Sequence, residues 1–232
     1  MKVGRKYFWG LLVCAVVSVA AGTYAVDYGD KIVKKVPTTH KVLALTFDDG
    51  PYPGTTENLL TVLKEKHVRG TFFVLGSNAE RYPQLLAEIV ANGHEVASHS
   101  YTHRFINRLS KNEFEQEIVK AENAISRIAP KPTLFRPPGG GYNDRMVSEL
   151  AKRGYTTVLW SIDPRDWEGR GVEQIVNTVV KEAAPGGIIL LHEGKCAKST
   201  AAAVEILIDR LREKGYEFVT VSGLLRYYEM RP

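Results

Sequence analysis

From Val42 to Val221, apolar runs of strand length alternate with longer stretches in which apolar residues recur every three or four positions. Seven such runs are present: Val42 to Phe47, Thr71 to Gly76, His94 to His99, Thr133 to Arg136, Thr156 to Ile162, Gly187 to His192 and Phe218 to Val221. That alternation specifies parallel strands joined by crossover helices. Helix starts are marked at Ser77 with Glu80 and at Ser110 with Glu113, both at capping-box spacing. Gly93, Gly154 and Gly215 mark helix stops just before the next run. Seven units fall short of the usual eightfold barrel, so the expected fold is α/β, a distorted seven-unit (β/α) barrel.

The polar residues sit where such a fold gathers its chemistry. The first run stops at Asp48-Asp49-Gly50-Pro51; His99 ends the third, Arg136 the fourth and His192 the sixth, and Asp163 to Trp167 follow the fifth. C-terminal strand ends meet at one face of a β/α barrel, so these residues are expected to share a site. Side chains alternate along a strand, so Asp48 and Asp49 should point apart while the strand persists, leaving one for a metal and the other as a base. His99 and His103 are four apart; a helical turn after the third run would place both on one face, where they could grip one ion. Two His and one Asp leave open coordination positions, and a divalent ion there would lower the pKa of water and polarise a carbonyl. His40, His67 and His94 fall outside this pattern and are expected to be structural or solvated.

The net charge of +5 is confined to the N-terminus: residues 1–41 hold seven basic and two acidic residues, and the remainder holds 24 of each. A neutral body gives no support to nucleic-acid binding. Lys2, Arg5 and Lys6 precede an uncharged run from Tyr7 to Val26, long enough to cross a bilayer as a helix. Residues 1–26 therefore read as a signal peptide or membrane anchor, 27–40 as a tether, and 41–232 as the catalytic domain, delivered outside the cytoplasm as a secreted or membrane-anchored monomer. Cys14 and Cys196 lie on opposite sides of that tether, and no internal disulfide is expected.

Thr46-Phe47-Asp48-Asp49-Gly50-Pro51, His99-Ser100-Tyr101-Thr102-His103, Arg136-Pro137-Pro138-Gly139, Asp163-Pro164-Arg165-Asp166-Trp167 and Leu190-Leu191-His192 resemble, in order, the five motifs of the nodulation-type polysaccharide deacetylases, carbohydrate esterase family four. The resemblance spans residues 41 to 227. It implies a distorted seven-unit barrel and metal-dependent removal of acetyl groups from sugar polymers, with zinc first and cobalt, nickel or iron as alternatives. Carried over by motif, Asp49, His99 and His103 bind the metal, Asp48 is the general base and His192 the general acid. Arg136 holds Asp48 and Asp166 holds His192, while Trp167 and Leu190 shape an apolar slot for the acetyl methyl. A guanidinium beside Asp48 should favour its anion, and a carboxylate beside His192 should raise its pKa.

One position departs from the family. Where many relatives carry Tyr or Phe after the Arg-x-Pro motif, with a backbone N–H that stabilises the oxyanion, this chain has Gly139, followed by Gly140 and Gly141. The backbone donor survives the change, and Tyr142 is the candidate for the vacated aromatic space. The implied substrates are N-acetylated amino sugars of an extracellular polysaccharide, peptidoglycan first and chitin-type oligomers next. O-deacetylation of xylan-type polymers and a non-catalytic glycan-binding relative are the alternatives.

Overall fold

The computed structural model describes residues 32–229. In chain order the elements are β1 (Ile32–Val33), β2 (Val42–Asp48), α1 (Thr55–Glu65), β3 (Thr71–Val74), α2 (Gly76–Arg81), α3 (Pro83–Ala91), β4 (Glu95–Ser98), α4 (Lys111–Ile125), β5 (Leu134–Phe135), α5 (Asp144–Lys152), β6 (Thr156–Val158), α6 (Val172–Glu182), β7 (Gly187–His192), α7 (Thr200–Glu213), β8 (Glu217–Val219) and α8 (Val221–Leu225). All seven apolar runs contain a strand. The strands pair in the order β1-β6-β5-β4-β3-β2-β7, with β8 also on β2, and every ladder is parallel.

The sheet curls without closing into a continuous ring. An isolated bridge, Ile162 to Ile189, crosses between the segment after β6 and β7, supported by the Leu190 N–H donating to the Ile162 carbonyl at 2.9 Å. The expected tether over 27–40 fails from Ile32 onward. Ile32 and Val33 pair with Thr157 and Val158 of β6, Lys35 bridges Gly187, and Val33 and Val36 are buried. These apolar side chains supply the reason: burying each contributes about 1.5–3 kcal/mol. The candidate export segment, residues 1–26, lies outside the described residues; among the described residues no helix is long and apolar enough to cross a membrane.

β2 organises the core. All seven of its residues are buried, and alternation divides them between two layers. Leu43, Leu45 and Phe47 join the cluster built with Leu59 and Leu63 of α1, Ile175 and Val179 of α6, and Leu207 and Leu211 of α7. Val42 and Ala44 join the inner cluster with Phe73, Ala97, Leu134, Val158 and Ile188. Continuing up that inner face, the next two residues are Thr46 and Asp48. The interior therefore turns from hydrocarbon to polar at the C-terminal ends of the strands.

The helix signals are met unevenly. Ser110 and Glu113 form the capping box of α4, Ser110 Oγ accepting from the Glu113 N–H at 3.3 Å and Glu113 accepting from the Ser110 N–H at 3.0 Å. Gly93, Gly154 and Gly215 follow the ends of α3, α5 and α7 with positive φ. The Ser77/Glu80 box does not form: α2 starts at Gly76, the Ser77 N–H donates to the Tyr101 carbonyl at 3.0 Å, and Glu80 accepts from the Tyr101 hydroxyl at 2.7 Å. The loop after β4 has captured both groups.

Candidate active site

Arg136, fully buried at the end of β5, fixes one half of the site. Its Nη1 donates to Thr46 Oγ1 at 2.8 Å and to Asp48 Oδ1 at 2.7 Å, and its Nη2 donates to the Leu159 carbonyl at 3.0 Å. The guanidinium lies over the Phe73 ring, 4.0 Å from its centroid. A buried charge needs this degree of satisfaction, because leaving one uncompensated costs several kcal/mol. Burial raises the Asp48 pKa above the usual carboxylate value, with the Arg136 and His192 charges opposing it. Arg136 favours the Asp48 anion as expected, but burial outweighs the ion pair in the net direction and makes the carboxylate more basic.

Asp49 is where the alternation argument stops applying. β2 ends at Asp48, and Asp49 takes a left-handed backbone with φ 74°, which swings its carboxylate back toward the face that Asp48 occupies. Both acids approach one ring: His99 Nε2 lies 3.7 Å from Asp48 Oδ2 and 3.6 Å from Asp49 Oδ1. The Asp49 carbonyl accepts from Asn78 Nδ2 at 2.8 Å, and the Gly50 carbonyl from the Leu75 N–H at 2.9 Å.

His99 and His103 also converge, but not on a helix. No helix spans His99 to His103; Ser100 and His103 have φ of 68° and 62°, and the chain there forms an irregular loop. Glu117 of α4 holds that loop, accepting from the Tyr101 N–H at 3.0 Å, the Thr102 N–H at 2.8 Å and Thr102 Oγ1 at 2.6 Å. Backbone donors take the place that helical periodicity was expected to fill.

Asp49, His99 and His103 each bring one ligand atom within 4.8 Å of the others, and Asp49 Oδ1 lies 3.6 Å from His99 Nε2 and 3.4 Å from His103 Nε2. This donor set fits a divalent cation on three counts. Asp49 Oδ1 is buried without a hydrogen-bond partner. His99 Nδ1 donates to the Arg136 carbonyl at 2.7 Å, which leaves the Nε2 lone pair facing the cluster. Burial also pushes the His99 pKa down to about 3, with the Asp49 charge opposing, so its ring is neutral as a ligand must be.

The other half is built on β7. Register sets His192 opposite Asp48 and Leu190 opposite Thr46, and alternation puts both on the inner face above Ile188. Asp166 is buried beneath His192. Its Oδ1 accepts from His192 Nδ1 at 2.8 Å, and its Oδ2 accepts from the His192 N–H at 2.8 Å and Thr200 Oγ1 at 2.7 Å. Burial disfavours the charged ring, but the Asp166 hydrogen bond and the Asp48, Asp166 and Asp49 charges outweigh it and hold the His192 pKa above its ordinary value. Trp167 meets the His192 ring edge-on at 6.5 Å and stands half-exposed.

A cavity of about 440 Å³ opens between these halves, bordered by Asp49, His103, Trp167 and His192 together with Tyr52, Asn78 and Glu193. Glu193 is a member that sequence reasoning missed. It is buried and accepts from Thr56 Oγ1, its Oε2 has no partner, and burial raises its pKa to about 8. Its carboxyl occupies the space a side chain at Gly50 would need, with a Cβ there falling 1.6 Å from Oε2. Glu117, the support of the His99–His103 loop, was missed as well. Both follow or face recognised motifs, but nothing in their sequence neighbourhood separates them from solvated acids.

The Gly139 position resolves differently from expectation. A Cβ there would fall 2.6 Å from Phe105 Cε1, so the Phe105 ring, not Tyr142, fills the aromatic space. Tyr142 packs against the cluster of Ile106, Leu109, Phe114 and Phe135. His40 lies beside Glu229 at 3.4 Å, and His94 Nδ1 accepts from the Gly70 N–H at 3.1 Å, both away from the converging residues. Cys196 is free and exposed, with no disulfide among the described residues.

Comparison with known proteins agrees with this geometry. Residues 35–158 match the family model described as polysaccharide deacetylase. A peptidoglycan-N-acetylglucosamine deacetylase of Bacillus cereus is 42% identical over 196 residues, covering 83% of this chain and 92% of the relative. A chitooligosaccharide deacetylase of Sinorhizobium fredii is 38% identical over 185 residues, covering 74% and 86%. The crystal structure of the Bc1960 peptidoglycan N-acetylglucosamine deacetylase superposes with a TM-score of 0.83 at 31% identity, covering 87% of this chain and 95% of that one. With the family model matching more than half of its length and its strand ends gathering the residues described above, this chain belongs to the polysaccharide deacetylase family.

Proposed function

We propose that this chain hydrolyses acetamide groups on N-acetylated amino sugars of an extracytoplasmic polysaccharide, peptidoglycan first and chitin-type oligomers next. The observation that carries the reading is the Asp49, His99 and His103 donor set, within 4.8 Å, between a buried Asp48–Arg136 pair and a His192–Asp166 pair. Two relatives named for peptidoglycan and chitooligosaccharide deacetylation support the substrate class.

In this reading Asp49, His99 and His103 hold one divalent cation, zinc first, with cobalt, nickel and iron suiting the same donors. When bound, the cation supplies Lewis-acid polarisation of the acetyl carbonyl and a lowered pKa for water. Asp48 takes the proton of the attacking water, its basicity raised by burial and its orientation fixed by the 2.7 Å bond from Arg136. The Gly139 N–H donates to the developing oxyanion. His192 Nε2 gives a proton to the departing amine, Asp166 fixing the ring through Nδ1 and favouring the imidazolium. The acetyl methyl lies against Trp167 and Leu190. The catalytic body acts as a monomer outside the cytoplasm, its N-terminal segment serving as export signal or membrane anchor.

The test is acetate release by the purified protein from peptidoglycan, chitin oligomers and acetylxylan, each with and without a chelator. Release from the first two, stopped by chelation, supports the proposal. Release from acetylxylan alone would make this chain an O-deacetylase, and release from none would leave it a glycan-binding relative.

A further inference from the structure

Among the described residues two large apolar side chains stand well out in solvent, Phe105 at 50% and Trp167 at 45%. Both border the candidate site. Trp167 lines the 440 Å³ cavity and meets His192 edge-on at 6.5 Å. Phe105 does not line that cavity, yet it meets His103, which does, edge-on at the same 6.5 Å. It therefore sits on the rim, one residue outside the reacting centre.

A single exposed phenylalanine is ordinary on a protein surface. Phe105 differs in being held on several sides while half of its surface stays exposed. The Arg108 guanidinium lies 5.3 Å from its ring centroid, and His103 flanks its edge. Gly139, with φ 61°, presents bare backbone at the ring's Cε1 edge, and a Cβ at that position would fall 2.6 Å from Phe105 Cε1. The glycine and the aromatic ring thus form one unit: a side chain at 139 would displace the ring. A rigid, half-exposed ring offers contact area at little cost in ordering. Pyranose rings present apolar C–H faces that stack on such surfaces, whereas their acetamide groups are polar.

We propose that Phe105 is a sugar-binding platform, packing against the apolar face of the pyranose unit that adjoins the one being deacetylated. The proposal rests on the deacetylase reading and adds to it a preference for oligomers over single sugars. The neighbouring unit is the one contacted because the cavity holding the reacting acetamide is bordered by Trp167 and excludes Phe105.

The experiment compares the metal-loaded wild type with Phe105→Ala and Phe105→Trp on N-acetylglucosamine monomer and tetramer, with metal content and melting temperature measured alongside. Loss of one aromatic stacking contact corresponds to roughly a three- to tenfold change. Phe105→Ala should raise KM for the tetramer by that factor, leaving kcat, metal content and the monomer KM unchanged, and Phe105→Trp should restore it. An unchanged tetramer KM, or an equal rise for monomer and tetramer, would overturn the proposal. Loss of metal in Phe105→Ala would also overturn it, making the ring a prop for His103. Failure of the wild type to release acetate from any oligomer would defeat the deacetylase reading itself, an outcome distinct from an active wild type indifferent to Phe105.

Discussion

Replacing Asp166 by Asn tests how the His192 proton is held. The carboxylate accepts three hydrogen bonds, and they are not equivalent. Oδ2 takes the His192 backbone N–H and the Thr200 hydroxyl, and a backbone N–H cannot reverse its direction. The carbonyl oxygen of the new amide must therefore occupy the Oδ2 place, which turns its NH2 toward His192 Nδ1. That nitrogen then has to accept, and the doubly protonated ring loses its partner. With Asp166 neutral, burial is opposed by the Asp48 and Asp49 charges without the Asp166 hydrogen bond and charge, and the His192 pKa moves down. Activity that needs the imidazolium is present below the His192 pKa and lost as pH rises through it. The imidazolium fraction, and with it the general acid contribution, therefore falls at neutral and alkaline pH. The assay is kcat/KM for acetate release from N-acetylglucosamine tetramer, measured from pH 5 to 9. The alkaline limb should shift to lower pH in Asp166→Asn, with the loss shrinking below pH 6 and metal content unchanged. An alkaline limb that stays in place in a folded variant would remove Asp166 from the proton transfer.

Asp48→Asn keeps the size and the Arg136 contact of the residue but removes the base, so turnover should fall on the order of a hundredfold or more with metal content retained; loss of metal would make Asp48 a ligand. Arg136→Met strands the buried Asp48 charge, and denaturant unfolding should show a loss of about 3–5 kcal/mol, an unchanged midpoint contradicting the burial argument. A chain begun at Lys31 should match the full chain in stability, whereas one begun at Pro37 loses β1 with the burial of Val33 and Val36, about 3 kcal/mol or more by the same measurement.

The readable parts of this fold are those in which one run of residues decides its own environment. β2 announces itself because both its faces are buried, and the strand-end positions of Asp48, His99, Arg136 and His192 follow from parallel topology alone. β1 is two residues long, below any periodicity, and exists only because β6 offers an edge. Alternation correctly sends Asp48 inward but cannot anticipate the left-handed Asp49 that brings the second acid to the same ring. The four-residue spacing of His99 and His103 suggests a helix, while the pairing is made by Glu117, sixteen residues or so further along, on a helix face that reads as an ordinary amphipathic pattern. Phe105 rather than Tyr142 fills the place above Gly139, because the loop carrying His103 crosses it, a relation between two segments that no single stretch encodes.

The central claim is metal-dependent deacetylation by a single three-residue ligand set. It is tested most directly by stripping the purified protein with a chelator and titrating zinc back while following acetate release from N-acetylglucosamine tetramer, in the wild type and in His103→Ala. The account predicts no release from the stripped wild type, a rise that levels at one zinc per chain, and neither tight binding nor release in His103→Ala. Full activity in excess chelator, or an unchanged titration in His103→Ala, would contradict it.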